Sequence, residues 1–240
     1  MAITFNNVHK TLRQKHKKTK VFQDAHATFE ADKIIGVLAS AGTGKTTAAH
    51  LATGKLRPDL GRVHRSSLVS FPVGGGGVFN GLLTGRENLA FLCRVFGFDP
   101  RPIIKFVIDF ADLGRVIDKP LRLYNRDERT RLMFTSCYAI PFDTYIVDES
   151  MIGGRGQFRE SCERLARERM ETAGFVIFSS SSSLLRKYCN EFYVIEDLSL
   201  HKVASLDEAV AKVGDGEIRE AGAAADEGVA ESVDSYDSLL

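Results

Sequence analysis

Residues 39–47 of the chain read Ala39-Ser40-Ala41-Gly42-Thr43-Gly44-Lys45-Thr46-Thr47. It follows the phosphate-loop pattern GxxxxGK[ST], with Ala39 in place of the first glycine. The short apolar run KIIGVLA at 33–39 predicts a buried strand before the loop, and the small residues after it predict a helix. In such a unit the loop amides and the positive end of the helix surround a phosphate. The alternative is a generic glycine-rich turn, and the GKTT sequence argues against it.

The loop supplies the predicted nucleotide-binding residues, which are Ser40, Ala41, Gly42, Thr43, Gly44, Lys45, Thr46 and Thr47. Lys45 is expected to reach the β- and γ-phosphates, and the Thr46 hydroxyl is expected to coordinate Mg²⁺. Ala39 departs from the pattern, and its Cβ is expected to strain a turn that the pattern reserves for glycine.

A second motif lies far downstream and reads Tyr145-Ile146-Val147-Asp148-Glu149. Taken alone, two acids at the end of an apolar strand often cap the next helix. Paired with a phosphate loop, they predict a metal-binding strand end in which Asp148 holds Mg²⁺. Glu149 is then the predicted catalytic residue, the general base that polarises the attacking water.

The order of the remaining segments predicts an α/β fold. Strands alternate with helices, which favours a mainly parallel sheet with helices on both faces. Leu89, Leu92 and Val95 share one helical face in a block at about 84–140, and a further helix is predicted over 126–139. This block is interpreted as a helical subdomain inserted into a nucleotide-binding domain that spans 1–213. Residues 214–240 form an acidic tail, which we expect to be disordered.

Composition narrows the class of protein. The chain has 240 residues, 44% hydrophobic and 26% charged, and no run approaches the roughly 18 apolar residues of a membrane span. The segment after the basic residues near the N-terminus is too polar for a secretory signal. Four widely spaced cysteines without a CxxC pair argue against a disulfide framework or a zinc ribbon, and favour a reducing cytoplasm.

The net charge of +1 hides an uneven distribution. The tail carries eight acids and one base, whereas the first 23 residues carry six lysines and arginines and no acid. The basic segment is interpreted as a solvated hairpin tip, with attraction to an anionic membrane or to nucleic acid as the alternative. No aromatic residues are interleaved with the cations, so stacking on single-stranded nucleic acid is not supported.

Five stretches together resemble a known family. They are the phosphate loop, RPDLGRV at 57–63, FPVGGGGVFNGLLTGREN at 71–88, LYNRDERTRL at 123–132 and FDTYIVDE at 142–149. The chain lacks the NKxD-like element of GTPases and resembles the nucleotide-binding subunits of ABC transporters. Within them it is most similar to the subgroup that exports capsular polysaccharide or lipopolysaccharide O-antigen. The resemblance covers about residues 1–205.

The resemblance implies a fold, partners and a location. The fold is the ABC nucleotide-binding domain, with an antiparallel β subdomain beside the main sheet and an inserted helical subdomain. Two such subunits, as a homodimer or heterodimer, would clamp two ATP molecules with Mg²⁺ beneath a transmembrane permease. Each ATP would lie between the phosphate loop of one subunit and the signature motif of the other. The chain would be peripheral, at the cytoplasmic face of the inner membrane, with no nucleic-acid partner.

The sequence also departs from the family at positions that contact phosphate and metal. The Q-loop glutamine is replaced by Asn80, whose shorter amide weakens an expected contact with Mg²⁺. The aligned signature is 124–128, YNRDE, which places two carboxylates where the family presents serine and glycine. Asn125 and Glu128 also fit a capping box, so this helix is expected to cap its own amides.

Three further family residues are changed. The D-loop aspartate corresponds to Arg155, and the switch histidine falls within 179–183, at Ser180, where the serines predict a helix start. The aromatic residue that usually stacks on adenine corresponds to Leu12. Two hypotheses follow. The chain is an ATP-binding export subunit with impaired hydrolysis, or it is a non-hydrolysing pseudo-ATPase paired with a competent ATPase subunit.

Overall fold

The computed structural model describes residues 2–14 and 17–213, and the predicted acidic tail lies outside them. The strands are β1 Ala2–Gln14, β2 Lys17–Glu30, β3 Ile34–Leu38, β4 Leu60–Arg65, β5 Thr144–Asp148, β6 Gly174–Ser179, β7 Glu191–Glu196 and β8 Ser199–Val203. The helices are α1 Lys45–Thr53, α2 Gly85–Val95, α3 Pro100–Phe110, α4 Arg126–Ala139, α5 Gly156–Met170, α6 Ser182–Tyr188 and α7 Leu206–Val213. The described residues divide into two compact units.

The first unit contains both sheets and comprises 2–72, 142–149 and 170–213 without the two undescribed positions. The larger sheet has the strand order β5-β6-β3-β7-β8, with β8 antiparallel to β7 and the other pairs parallel. Its central strands are continuous apolar runs because both of their faces are buried. The smaller sheet has the order β2-β1-β4 and is antiparallel. The predicted fold class is therefore confirmed.

Phe29 lies at the centre of the core of this unit. Its ring packs edge-on against Tyr193 and Phe5, with ring centroids 5.1 and 5.7 Å away. The ring of Phe178 in β6 also packs edge-on against Phe29, with ring centroids 6.2 Å apart. These contacts hold the hairpin of β1 and β2 against the larger sheet, so the hairpin has a fixed position beside the end of β3.

The second unit is largely helical and comprises 73–141 and 150–169. The predicted helix over 126–139 is present with those bounds as α4. The loop before α2 is fixed by the buried Asn88, whose amide donates to the carbonyls of Asn80, Leu83 and Thr84.

Candidate functional site

The predicted phosphate loop joins β3 to α1 in the first unit. Gly42 and Gly44 have φ angles of 79° and 112°, values at which a side chain would be strained. A Cβ on Gly44 would also overlap Val21 Cγ1, so the site requires glycine there. Thr43 Oγ1 donates to the Ser40 carbonyl at 2.8 Å and tightens the turn.

The start of α1 is suited to an anion. Its N-cap is Gly44, and no described side chain caps the helix or places an acid in its first turn. The first amides of a helix have no partner within it and carry partial positive charge. An anion at this end could therefore accept hydrogen bonds from helix amides that no described side chain caps.

Lys45 folds back over the loop, and its side chain is only 8% exposed. The ammonium donates to the carbonyls of Ala39 and Ser40 at 3.0 and 2.9 Å. It also lies 3.1 Å from Oε1 of Glu149. The predicted phosphate-binding lysine and the predicted general base are thus brought together as an ion pair.

Asp148 ends β5 beside the start of α1. Burial raises the pKa of its carboxyl, and a hydrogen bond from Thr46 opposes that rise. Its Oδ1 atom is buried, and no donor among the described residues reaches it. A hydroxyl and an unpartnered carboxylate oxygen are hard ligands of the kind that Mg²⁺ prefers. Thr46 and Asp148 therefore fit the metal expected from the sequence.

The protein alone supplies few ligands for a metal. In the part of the chain that the structure describes, no three His, Cys, Asp or Glu side chains cluster as a possible metal site. Mg²⁺ is commonly held by one or two protein groups together with phosphates and water. Thr46 and Asp148 match that kind of shared site rather than an all-protein cage.

Glu149 has an unusual backbone and a crowded carboxylate. Its φ angle is 64°, in the left-handed region, and its amide donates to the Phe178 carbonyl at 2.8 Å. The carboxylate accepts from Ser179 Oγ and the Ser180 amide, both at 3.1 Å, and from Ser180 Oγ at 3.3 Å. These contacts hold the carboxylate close to the Lys45 ammonium.

The serine run differs in detail from its sequence-based interpretation. The N-cap of α6 is Ser181, whose hydroxyl accepts from the Leu184 amide at 3.2 Å. Ser180 instead contacts Glu149, and Ser179 does so as well. Neither contact with Glu149 was predicted. Both depend on the parallel pairing of β5 and β6, with Asp148 opposite Phe178, and this pairing cannot be read from local sequence.

A cleft of about 560 Å³ opens above the loop. The hairpin of β1 and β2 forms one wall through Leu12, Thr19 and Val21. The floor is made by the loop, the start of α1 and Glu149, through Ala41, Gly42, Gly44, Lys45, Thr46 and Thr47. Leu12, at the position expected to contact adenine, offers an apolar surface without an aromatic face.

Asn80, the third predicted metal ligand, belongs to the second unit. Its side-chain oxygen accepts from the Leu82 amide at 2.9 Å. Its backbone amide donates to the Asn88 side chain at 2.7 Å. These contacts shape the turn before α2, and a metal contact by Asn80 stays a prediction.

The predicted capping box at the start of α4 is present. Asn125 Oδ1 accepts from the Glu128 amide, and Glu128 Oε2 accepts from the Asn125 amide, both at 2.9 Å. Asp127 forms an ion pair of 2.6 Å with Arg131. In contrast to α1, this helix begins with capped amides and two acids in its first turn, an arrangement that disfavours an anion.

None of the helices in the described ranges is long and apolar enough to cross a membrane.

The chain matches no family model, but it is similar to individual proteins. It is 30% identical over 207 residues to the ATP-binding protein BexA of Haemophilus influenzae, covering 86% of this chain and 95% of that protein. It is 34% identical over 197 residues to the polysialic acid transport ATP-binding protein KpsT of Escherichia coli, covering 81% and 88%. The fold matches the ATP-binding cassette MJ0796, solved as a dimer with ADP and Pi, with a TM-score of 0.67. That match has 13% identity and covers 85% of this chain and 99% of the other.

Proposed function

This chain belongs to the family of ABC-transporter ATP-binding proteins, and from that premise we propose that it binds MgATP as a subunit of a polysaccharide exporter. The main support for this proposal is that Lys45, Thr46 and Asp148 lie together at the uncapped start of α1. The polymer class is supported by relatives named for polysialic acid transport and capsule polysaccharide export.

The phosphate loop is proposed to hold the ATP phosphates, with Lys45 and the first amides of α1 as donors. Thr46 and Asp148 are proposed to hold Mg²⁺, which would offset the negative charge of the phosphates. Glu149 is proposed as the carboxylate that accepts a proton from the attacking water. The adenine ring would lie against Leu12 on the wall of the cleft.

The chain is proposed to act in pairs beneath a transmembrane permease, at the cytoplasmic face of the inner membrane. An ATP-binding cassette of the same fold has been solved as a dimer, which supports pairing. Co-purification of the full-length chain with a multispanning membrane protein tests the permease. Recovery of the chain without any such partner would contradict a transporter role.

Hydrolysis is proposed to be impaired, for a reason that lies at the start of α4. If this helix meets the γ-phosphate held by a second subunit, that phosphate encounters Asp127 and Glu128 instead of bare amides. A like-charge contact near a protein surface costs on the order of a few kcal/mol, which Arg131 offsets in part through its ion pair with Asp127.

This reasoning is tested by replacing 125–128 with Ser-Ser-Gly-Met. The replacement removes both carboxylates and restores small residues at the helix start. ATP-driven dimerisation, measured by analytical ultracentrifugation on a Glu149→Gln background, is expected to increase. Unchanged dimerisation would contradict the role given to this helix.

Turnover of MgATP separates the two functional hypotheses. Wild type is compared with Lys45→Ala and Glu149→Gln, and Lys105→Ala serves as a control for loss of an exposed lysine outside the loop. Clear turnover that both site variants abolish would identify a working export ATPase. Binding of ATP that Lys45→Ala weakens, with no turnover in either wild type or Glu149→Gln, would favour the pseudo-ATPase, because no activity would then depend on the general base. Absence of ATP binding in both wild type and Glu149→Gln would refute the nucleotide-binding proposal itself.

A further inference from the structure

Three oxygen atoms lie close to the Lys45 ammonium. The carbonyls of Ala39 and Ser40 accept hydrogen bonds from it at 3.0 and 2.9 Å, and the Glu149 carboxylate forms an ion pair with it at 3.1 Å. A phosphate that binds Lys45 brings its negative charge into the space that Glu149 occupies, and like charges at this distance repel. The two carbonyls are part of the backbone, whereas Glu149 is a side chain with 42% of its surface exposed. Glu149 is therefore the group beside Lys45 that a phosphate can displace.

Hydrogen bonds from two serines hold the Glu149 carboxylate beside Lys45. Ser179 and Ser180 supply three donors to its carboxylate, two hydroxyls and one backbone amide. Its left-handed backbone, with φ of 64°, is fixed by the bond from its amide to the Phe178 carbonyl. A non-glycine residue in this region is strained, so the neighbouring strand must maintain the conformation.

We propose that Ser180 is a positioning residue that holds Glu149 on Lys45, so that this carboxylate competes with the nucleotide's β- and γ-phosphates for the ammonium. This inference rests on the proposed nucleotide-binding function and adds a regulating contact to it. Binding of ATP or ADP then requires Glu149 to release Lys45. The release leaves the carboxylate bonded to the serines alone and changes its position relative to the phosphate.

Of the two serines that contact Glu149, Ser180 is the one whose hydroxyl can be removed without loss of other described contacts. Ser179 is 1% exposed, and its hydroxyl also accepts from the Ser181 amide at 3.1 Å, so its removal would disturb the start of α6. The Ser180 hydroxyl donates to the Glu149 carboxylate, at 3.3 Å from each oxygen. Ser180→Ala removes this hydroxyl and keeps the backbone amide, and Ser180→Thr keeps the hydroxyl.

The experiment measures the dissociation constants of ATP, ADP and AMP by calorimetry for the full chain. Ser180→Ala is expected to tighten ATP and ADP by about fivefold, the effect of loosening one partly exposed ion pair. AMP lacks the phosphates that Lys45 reaches, so its affinity is expected to stay unchanged. Ser180→Thr and the control Ser183→Ala, whose hydroxyl contacts Ser181 at 2.9 Å, are expected to match wild type.

The possible results separate this inference from the function on which it rests. If wild type binds ATP and Ser180→Ala leaves ATP and ADP unchanged or weaker, the competition is refuted and the proposed function stands. Equal changes for ATP, ADP and AMP would also refute it, because they would indicate a general structural effect. Failure of wild type, Ser180→Ala and Glu149→Gln alike to bind ATP would refute the proposed function together with the competition.

Discussion

Gly44 provides a sharp test of how the phosphate loop is built. Two costs follow from replacing it with alanine. The φ angle of 112° puts a side chain in a strained region, at roughly 1–2 kcal/mol. The new Cβ would also overlap Val21 Cγ1, and Val21 is buried, so relief requires movement of packed atoms at about 1–3 kcal/mol. Gly44→Ala is therefore expected to lower the free energy of unfolding by about 3 kcal/mol.

Gly42→Ala is the matched control, because it changes the same loop in the same way. Its φ angle is 79°, and no described heavy atom lies within 4 Å of the added Cβ. It is therefore expected to show only the backbone cost of roughly 1–2 kcal/mol. Any gain from a less flexible unfolded chain is common to both variants and cancels in the difference.

Urea unfolding followed by circular dichroism measures both variants against wild type. The double variant Gly44→Ala/Val21→Ala removes the overlapping methyl, and a favourable coupling of about 1–2 kcal/mol is expected in the double-mutant cycle. Equal destabilisation by the two glycine variants would refute the steric argument. A coupling of zero with Val21→Ala would refute it independently.

Three further predictions concern the N-cap of α4 and two titratable groups, Asp148 and His50. Asn125→Ala is expected to lower the free energy of unfolding by about 1 kcal/mol, because it removes the α4 cap; urea unfolding measures this, and an unchanged midpoint would contradict it. Burial raises the pKa of the Asp148 carboxyl, so its charged form destabilises the metal-free protein at neutral pH. Asp148→Asn is therefore expected to stabilise the protein at neutral pH, and this stabilisation should disappear below the ordinary pKa of aspartate. Thermal unfolding measured against pH tests the direction of the change. Burial lowers the pKa of His50 to about 4, so stability is expected to fall as pH drops from 6.5 toward 4; His50→Gln should flatten that slope, and NMR titration of the ring gives the pKa directly.

Residues that act together through local spacing could be predicted from the sequence. The apolar run before the loop, the GKTT sequence and the small residues after it specify β3, the phosphate loop and α1 within about twenty residues. The start of α4 followed from Asn125 and Glu128, since a capping box is set by a spacing of three residues. The alternation of strands and helices gave the fold class for the same reason, because each element's periodicity is local.

The contacts that give the site its character depend on strand pairing. Whether Glu149 meets Ser179 and Ser180 depends on β5 lying beside β6 in one parallel register, with residues 30 positions apart brought to hydrogen-bond distance. The ion pair between Glu149 and Lys45 likewise needs β5 and α1 to pack in the same unit. Local patterns do not encode such pairings, since they are decided by which arrangement buries the apolar strands best. Local sequence therefore specified the strand, the phosphate loop and the start of α1. Strand pairing, which depends on the whole fold, placed Glu149 beside Lys45 and the two serines beside Glu149.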